Sequence, residues 1–303
     1  MFLKYSQPQN KEILIGDNRK IYSFTNENEI NLDEKTVLSF GEEWLKFNSF
    51  TENEIKIAGD QYFDIVNENI LTKETVVLDL GCGSGRWTKY LANKVKMVEA
   101  VDPSEAIFAA SALLKDNLNV RITQASVSNI PFEDESFDFI ICLGVLHHIP
   151  DTQQALTDLI KKLKPNGHIL LYLYYSLDNR GKLYKLIFKS STLIRKLVSK
   201  CPHGLKKIIC DLIAILIYMP LVFLTRILRF ILGEKKWINK IPLSYYKDKS
   251  FNIIRNDALD RFGTPLEQRF SKLEIKKMLN NAGVLRSEFS NNEPFWHVLG
   301  QKI

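Results

Sequence analysis

The sequence predicts an α/β fold, a doubly wound sheet of mostly parallel strands with a helical insertion after the fifth strand. Three observations carry this. Short apolar runs alternate with helix-patterned runs from Thr75 to Tyr175, the order that builds a parallel sheet with helices on both faces. A glycine-rich turn, "GCGSG" (Gly81 to Gly85), lies directly between the first apolar run and the first helix. The alternation then stops and returns only near Ser271, so residues 179–256 read as an insertion.

Taken in order, residues 1–70 form a mixed N-terminal cap segment. "FGEEWLKF" (Phe40 to Phe47) and "EIKIAGDQYFDIVNENI" (Glu54 to Ile70) there have apolar residues at helical spacing. "VVLDL" (Val76 to Leu80) is the first strand of the alternating region, followed by the glycine turn and the helix "GRWTKYLANK". "MVEAVD" (Met97 to Asp102) is the second strand, with a helix from Ser104 to about Lys115, and "NVRITQ" is the third. "FDFIICL" (Phe137 to Leu143) is apolar nearly throughout, as a strand covered on both faces must be. A helix over "TQQALTDLIKKL", the turn "KPNG" and a fifth strand, "HILLYLYY", follow. "SKLEIKKMLNNAG" has a Ser271–Glu274 capping box and ends on Gly283. Two strands, "VLRSEFS" and "FWHVLGQ", close the chain, so the sheet domain is expected over 71–178 and 257–303.

Composition, 45% hydrophobic and 25% charged in 303 residues, is that of a globular protein and excludes disordered and fibrous classes. The opening "MFLKYSQPQNKE" has too short an apolar run for a secretory signal core. Cys82, Cys142, Cys201 and Cys210 form neither a CxxC pair nor zinc spacing, so thiols in a reducing cytoplasm are expected and no metal is. The net charge of +6 is uneven: from Arg180 to Asn256 there are 17 Lys/Arg against three acids, which leaves the remainder net acidic. Such asymmetry points to a polyanionic partner.

The glycine turn sits where open α/β sheets bind ligands. Gly81, Gly83 and Gly85 allow a tight turn and close approach of backbone to a ligand. Dinucleotide sites use GxGxxG at the same place, but here Arg86 occupies the third glycine position, Asp79 stands two residues before the first, and no arginine follows Asp102. With these features "VLDLGCGSGRW" resembles the first motif of the class I S-adenosylmethionine-dependent methyltransferases. "SNIPFEDESFDFI", "LGVLHHIPD" and "LKPNGHILLY" resemble that family's later motifs in the same order. The resemblance implies a Rossmann-like sheet, mostly parallel with the last strand antiparallel, and S-adenosylmethionine as cofactor. It implies that Asp79, Gly81 and Gly83 frame the methionine part, with Gly85 completing the turn, and that Asp102 accepts both ribose hydroxyls. Ser126, where the family has an acid, leaves adenine to uncharged contacts around Val127, with Leu143 closing the pocket from the fourth strand.

The donor is already activated, so the enzyme must align an acceptor and, for an alcohol, remove a proton. His147 and His148 follow the fourth strand; by resemblance to sugar O-methyltransferases His147 is the expected general base and His148 reads better as structural. The acid that pairs with this histidine at the end of strand five is replaced by Leu173. In "RNDALDRFGTPLEQRF" (Arg255 to Phe270), Asp257, Asp260, Arg261 and Arg269 stand among rings and are candidate acceptor contacts.

"LIAILIYMPLVFLT" (Leu212 to Thr225) is charge-free, interrupted by Pro220 and bounded by Asp211 and Arg226. A span needs about 20 apolar residues, so this stretch reads as lying on a membrane and not crossing it. Its flanks, "LYKLIFKSSTLIRKLVSK" and "TRILRFILGEKKW", read as basic amphipathic helices suited to an anionic membrane face through residues 180–250. The expectation is a cytoplasmic protein held peripherally at the inner membrane face, the insertion forming a lid. Its substrate is then a small-molecule or lipid-linked acceptor, a sugar oxygen ahead of a quinone ring. An RNA methyltransferase gripping phosphates with the same cations is the competing class; an insert this dense in Leu and Ile disfavours nucleic acid. A cofactor-binding scaffold without activity ranks last.

Overall fold

The computed structural model describes residues 2–15, 19–26, 29–46, 50–179, 181–235, 237–238 and 241–303. Phe47 and Lys236, within two of the runs above, and Arg180, at the start of the basic count, lie outside these. The described residues form two compact units, Met1–Asp178 with Leu266–Ile303, and Asn179–Pro265.

The first unit is built on a nine-stranded sheet in the order β1-β2-β5-β4-β3-β6-β7-β9-β8. The strands are β1 Lys11–Ile15, β2 Arg19–Ser23, β3 Val76–Leu80, β4 Met97–Asp102, β5 Val120–Gln124, β6 Phe137–Leu143, β7 Leu163–Tyr172, β8 Arg286–Phe289 and β9 His297–Gln301. From β2 to β7 neighbours run parallel; β1 is antiparallel to β2, and β9 is antiparallel to both β7 and β8. Two-residue alternation divides the side chains between faces. Leu78, Leu80, Ile140 and Cys142 pack with α5 (Thr152–Lys161) and α10 (Lys272–Asn281), while Val77, Phe139 and Ile141 pack with α3 (Arg86–Ala92) and α4 (Ala106–Leu113). Chain order reverses between β3 and β6, and this puts a crevice at their C-terminal ends.

Three expectations are corrected here. Residues 1–70 are not a separate cap. The β1–β2 hairpin extends the sheet beyond β5, and Arg121 ties the N-terminus to it through Glu99 and the Leu3 carbonyl. "KPNG" is not a free turn, because β7 begins at Leu163 and pairs from there with a bulge against β6. And the first unit resumes at Leu266, because α9 (Phe251–Gly263) belongs wholly to the second.

The second unit consists of α6 (Lys182–Val198), α7 (His203–Ile213), a π-helical turn over Ala214–Tyr218, α8 (Met219–Leu232), a 3-10 turn at Ser244–Asp248 and α9. Its own core joins Val198, Cys210, Ala214, Tyr218 and Val222 to Tyr246, Ile254, Ala258 and Phe262. Arg255 makes a two-pronged pair with Asp211 at 2.8 and 2.7 Å, clamping α9 to α7. Pro220 does not interrupt the run as expected: Gly204–Leu232 is one helix of 29 residues, long and apolar enough to cross a membrane by length and composition. Only 33% of its most apolar window is buried. Leu216 is 67% exposed, Ile231 68% and Phe230 92%.

Candidate active site

The turn after β3 is held by backbone. The Gly81 and Cys82 amides both donate to the Val101 carbonyl of β4, and the Gly83 amide donates to Asp102 Oδ2 at 2.9 Å. All three glycines have left-handed φ, +72°, +52° and +83°, which explains their residue type. A Cβ on Gly81 would stand 2.3 Å from Val145 Cγ2, so the turns after β3 and β6 are in contact. The three atoms nearest a Cβ built on Gly83 all belong to the Trp44 ring, the first at 3.4 Å.

Two buried carboxylates flank this turn. Asp79 is pushed up to about 7, chiefly by burial, against a Thr88 hydroxyl that donates to it; the nearby Asp102 charge adds to the rise. Asp102 Oδ1 accepts from the Ser104 amide and hydroxyl, yet burial still raises its pKa. Oδ1 thus accepts twice and Oδ2 once, so of about four lone-pair sites Asp102 retains one, on Oδ2, for a hydroxyl donor. The Ser84 and Ser126 hydroxyl oxygens are buried without a partner among the described residues. Such hydroxyls have bonding capacity left for a bound molecule or water.

Beyond β6 the turn Leu146–His148 holds both histidines. His147 is fully buried, and burial holds its pKa well below the ordinary imidazole value, with the His148 and Arg269 charges acting in the same direction. Its Nδ1 accepts from the Tyr174 amide at 3.3 Å, and its ring stacks on Tyr174 with centroids 3.9 Å apart. A neutral imidazole accepting at Nδ1 carries its proton on Nε2. Nε2 is buried with no partner among the described residues. As arranged, His147 presents an N–H donor, which counts against the expected base role. His148 Nδ1 lies 2.7 Å from the Leu266 carbonyl.

Sequence reasoning missed α1 (Glu34–Lys46) as a site element. This helix packs Phe40 on the His148 ring, brings Gly41 against Ser104 and Glu105, and sets Trp44 near Gly83 and on the Arg86 guanidinium. The helical spacing was readable; its destination was not. α2 (Glu52–Tyr62), with its Thr51 capping box, packs against α3 through Gly59 on Tyr90.

Residues 78–171, the span holding the glycine turn, Asp102 and both histidines, match the family model described as a methyltransferase domain. The chain carries a class I S-adenosylmethionine-dependent methyltransferase domain. It is 30% identical over 148 residues to a ubiquinone biosynthesis O-methyltransferase of Pseudomonas fluorescens, covering 48% of this chain and 62% of that protein. The same-named protein of Pseudomonas entomophila is 29% identical over the same length. The matched part thus spans less than two thirds of these relatives. Among solved structures, an S-adenosylmethionine-dependent methyltransferase from Aquifex aeolicus is 15% identical with a TM-score of 0.44, covering 84% of this chain and 100% of that one. One from Methanosarcina mazei is 17% identical with a TM-score of 0.46, covering 78% and 95%.

Within the methyltransferase domain Val127 and Leu143 are buried near their expected places, Val127 next to Ser126 and Leu143 at the end of β6. Leu266–Phe270 runs beside Tyr174–Ser176: the Phe270 amide donates to the Tyr174 carbonyl and the Gln268 amide to the His147 carbonyl. Arg269 pairs with Glu267 and lies 5.1 Å from the Tyr174 ring centre. The other three candidate acceptor contacts belong to the second unit, so the four do not form one constellation within a unit. Asp257 accepts from the buried Tyr218 hydroxyl and lies 3.7 Å from Arg261, while the Asp260 carbonyl accepts from Thr264. Through these contacts Asp257 and Asp260 also pack within that unit.

Proposed function

We propose that this protein transfers a methyl group to a hydroxyl oxygen of an amphiphilic small molecule met at an anionic membrane surface, a phenolic ring hydroxyl ahead of a sugar hydroxyl. The cofactor, when bound, supplies an electrophilic methyl on a sulfonium. Asp79, Asp102, Ser84 and Ser126 are the residues that would hold it.

The observation that carries the phenolic reading is the Tyr174 amide on His147 Nδ1, which leaves the ring proton to Nε2. An N–H at Nε2 donates to an acceptor oxygen and binds its ionised form better than its neutral form, a charge-assisted hydrogen bond of about 1.5–3 kcal/mol. That lowers an acceptor pKa by roughly one to two units. A phenol near 10 is thereby partly ionised at neutral pH, whereas a sugar alcohol still needs a base. His147 has no carboxylate partner among the described residues to make it one. The relatives named for ubiquinone biosynthesis favour the same acceptor class.

The membrane part rests on the second unit. It has 18 Lys/Arg against five acids, and most of the exposed large apolar side chains of the described chain. The charge-free stretch between Asp211 and Arg226 is about 21 Å long at 1.5 Å per residue, short of a hydrocarbon core of about 30 Å. That favours lying in the interface. A methyl-transfer assay with radiolabelled cofactor tests the acceptor. Turnover on a hydroxylated prenyl-ring substrate and none on a glycolipid is expected; the reverse overturns the phenolic reading.

A further inference from the structure

The second unit contains a cavity of about 580 Å³ lined by Arg226, Ile227, Arg229, Phe230, Ile231 and Lys247. Three cations meet three apolar side chains there. Arg226 is half-buried and spends Nε and one terminal nitrogen on the Lys247 and Lys249 carbonyls, at 2.7 and 3.1 Å. Those bonds fix its guanidinium without neutralising it, and among the described residues no carboxylate pairs with it. Arg229 lies 2.7 Å from Asp248 and 3.5 Å from Glu234; Lys247 lies 3.7 Å from Glu234. The Arg226 charge is therefore uncompensated by a carboxylate among the described residues, at a site fixed by backbone hydrogen bonds.

The apolar side of the cavity decides what kind of anion fits. Phe230 is 92% exposed, and Ile231 and Ile227 stand beside it in solvent. A hydrated inorganic anion gains nothing from that rim. An anion attached to hydrocarbon gains the burial of both partners, about 25 cal/mol per Å² of apolar surface removed from water. Arginine donors suit phosphate oxygens in particular.

We propose that this cavity binds the phosphate of an anionic phospholipid, Arg226, Arg229 and Lys247 facing the headgroup and Phe230 and Ile231 the acyl chains. The proposal rests on the membrane reading above and sharpens it from a diffuse attraction of charges to one built site.

The test compares two charge-matched double variants of the full-length protein. Arg229→Gln with Lys247→Gln removes two cations from the cavity. Lys196→Gln with Lys200→Gln removes two exposed cations of the same unit that do not line it. Binding is measured to phosphatidylcholine vesicles with and without phosphatidylglycerol, and to monomeric dihexanoyl phosphatidylglycerol below its micelle concentration. Inorganic phosphate is the competitor, and unfolding midpoints confirm that both variants fold. The expected result is saturable binding of the monomeric lipid, weakened about tenfold or more in the cavity variant and threefold or less in the other, as built and diffuse charge differ. Equal losses in both variants overturn the site while leaving membrane association standing. Competition by inorganic phosphate at the concentration at which the lipid binds overturns the lipid as the ligand. Binding of the monomeric lipid without binding of vesicles supports the site and removes the membrane reading. No binding of monomeric lipid overturns the site whatever the vesicles do.

Discussion

The two units of this chain use apolar residues in opposite ways. In the methyltransferase domain β6 spends its apolar run inside a sheet covered on both faces, and Phe139, Ile140 and Ile141 are fully buried. In the second unit an equally apolar run lines a small core with Ala214, Tyr218 and Val222, and holds Leu216, Phe223 and Phe230 in solvent. Hydropathy alone does not separate these cases. The difference lies in what surrounds the run: a sheet offers two faces of packing, whereas the long helix of the second unit has a packed partner on only one stripe. Exposed apolar surface on that scale marks an interaction site, and the surrounding cations state which sign of partner it suits.

The comparison breaks most visibly if the exposed residues are stabilising in water. Phe230→Asp with Leu216→Asp is expected to lower vesicle partitioning by about 10² to 10⁴-fold, since each large side chain contributes roughly 1.5–3 kcal/mol when buried. The unfolding midpoint is expected to hold or rise. A fall of several degrees in melting temperature shows instead that these side chains pack in the protein. In the other unit Gly83→Val puts a branched side chain at φ +52° beside Trp44. Calorimetry should show cofactor affinity reduced by about a hundredfold or more, the strain and steric block together exceeding 2–3 kcal/mol, while vesicle binding is unchanged.

His147 sharpens the chemistry of the first unit. If its Nε2–H is the working group, His147→Asn, which retains an N–H donor, should keep substantially more turnover than His147→Ala. A general base predicts equal losses of about 10² to 10⁴ in both. The smallest effect is on stability. The folded-state pKa of His147 lies below the unfolded value, so the unfolded chain takes up a proton first as pH falls through about 6.5. Its contribution is therefore present above that pH and lost below it, by up to about 1.4 kcal/mol per pH unit. Asp79 and Glu99, both raised to about 7, act in the opposite sense and lose stability as pH rises from about 4 to 7. Urea titrations of wild type and His147→Asn at pH 7, 6 and 5 isolate the histidine: the wild-type curve should fall more steeply toward acid.

The glycine turn, Asp102 and the buried fourth strand were legible because each is a local pattern whose meaning does not depend on distant residues. β1 and β2 were not, since "KEILI" and "RKIYS" are short, mixed with charge and gain their partner only when β2 meets β5. His147 shows a finer limit. Residue type and position were readable, but the tautomer is set by the Tyr174 amide, 27 residues away in sequence. Asp257 shows the same limit: its partner, the Tyr218 hydroxyl, lies 39 positions earlier.

The π-helical turn at Ala214–Tyr218 has a consequence for rotational phase. Cys210, Ala214, Tyr218 and Val222 are buried at successive four-residue steps. In an ideal helix of 3.6 residues per turn each such step overshoots by about 40°, so three would swing Val222 about 120° off the stripe. The wider coil, bonding i to i+5, absorbs part of that drift and also relieves the clash that Pro220 would make with the preceding turn. Removing one residue from this turn would be absorbed by closing it to an ordinary α-helix, whereas removing one from the start of α8 would rotate everything beyond by about 100°. In that second case Phe223 would take the buried place of Val222, and Arg226 that of Thr225. The length of α8 is therefore more tightly constrained than its side chains: a one-residue deletion there should undo both the core and the exposed apolar surface, where a conservative substitution would disturb neither.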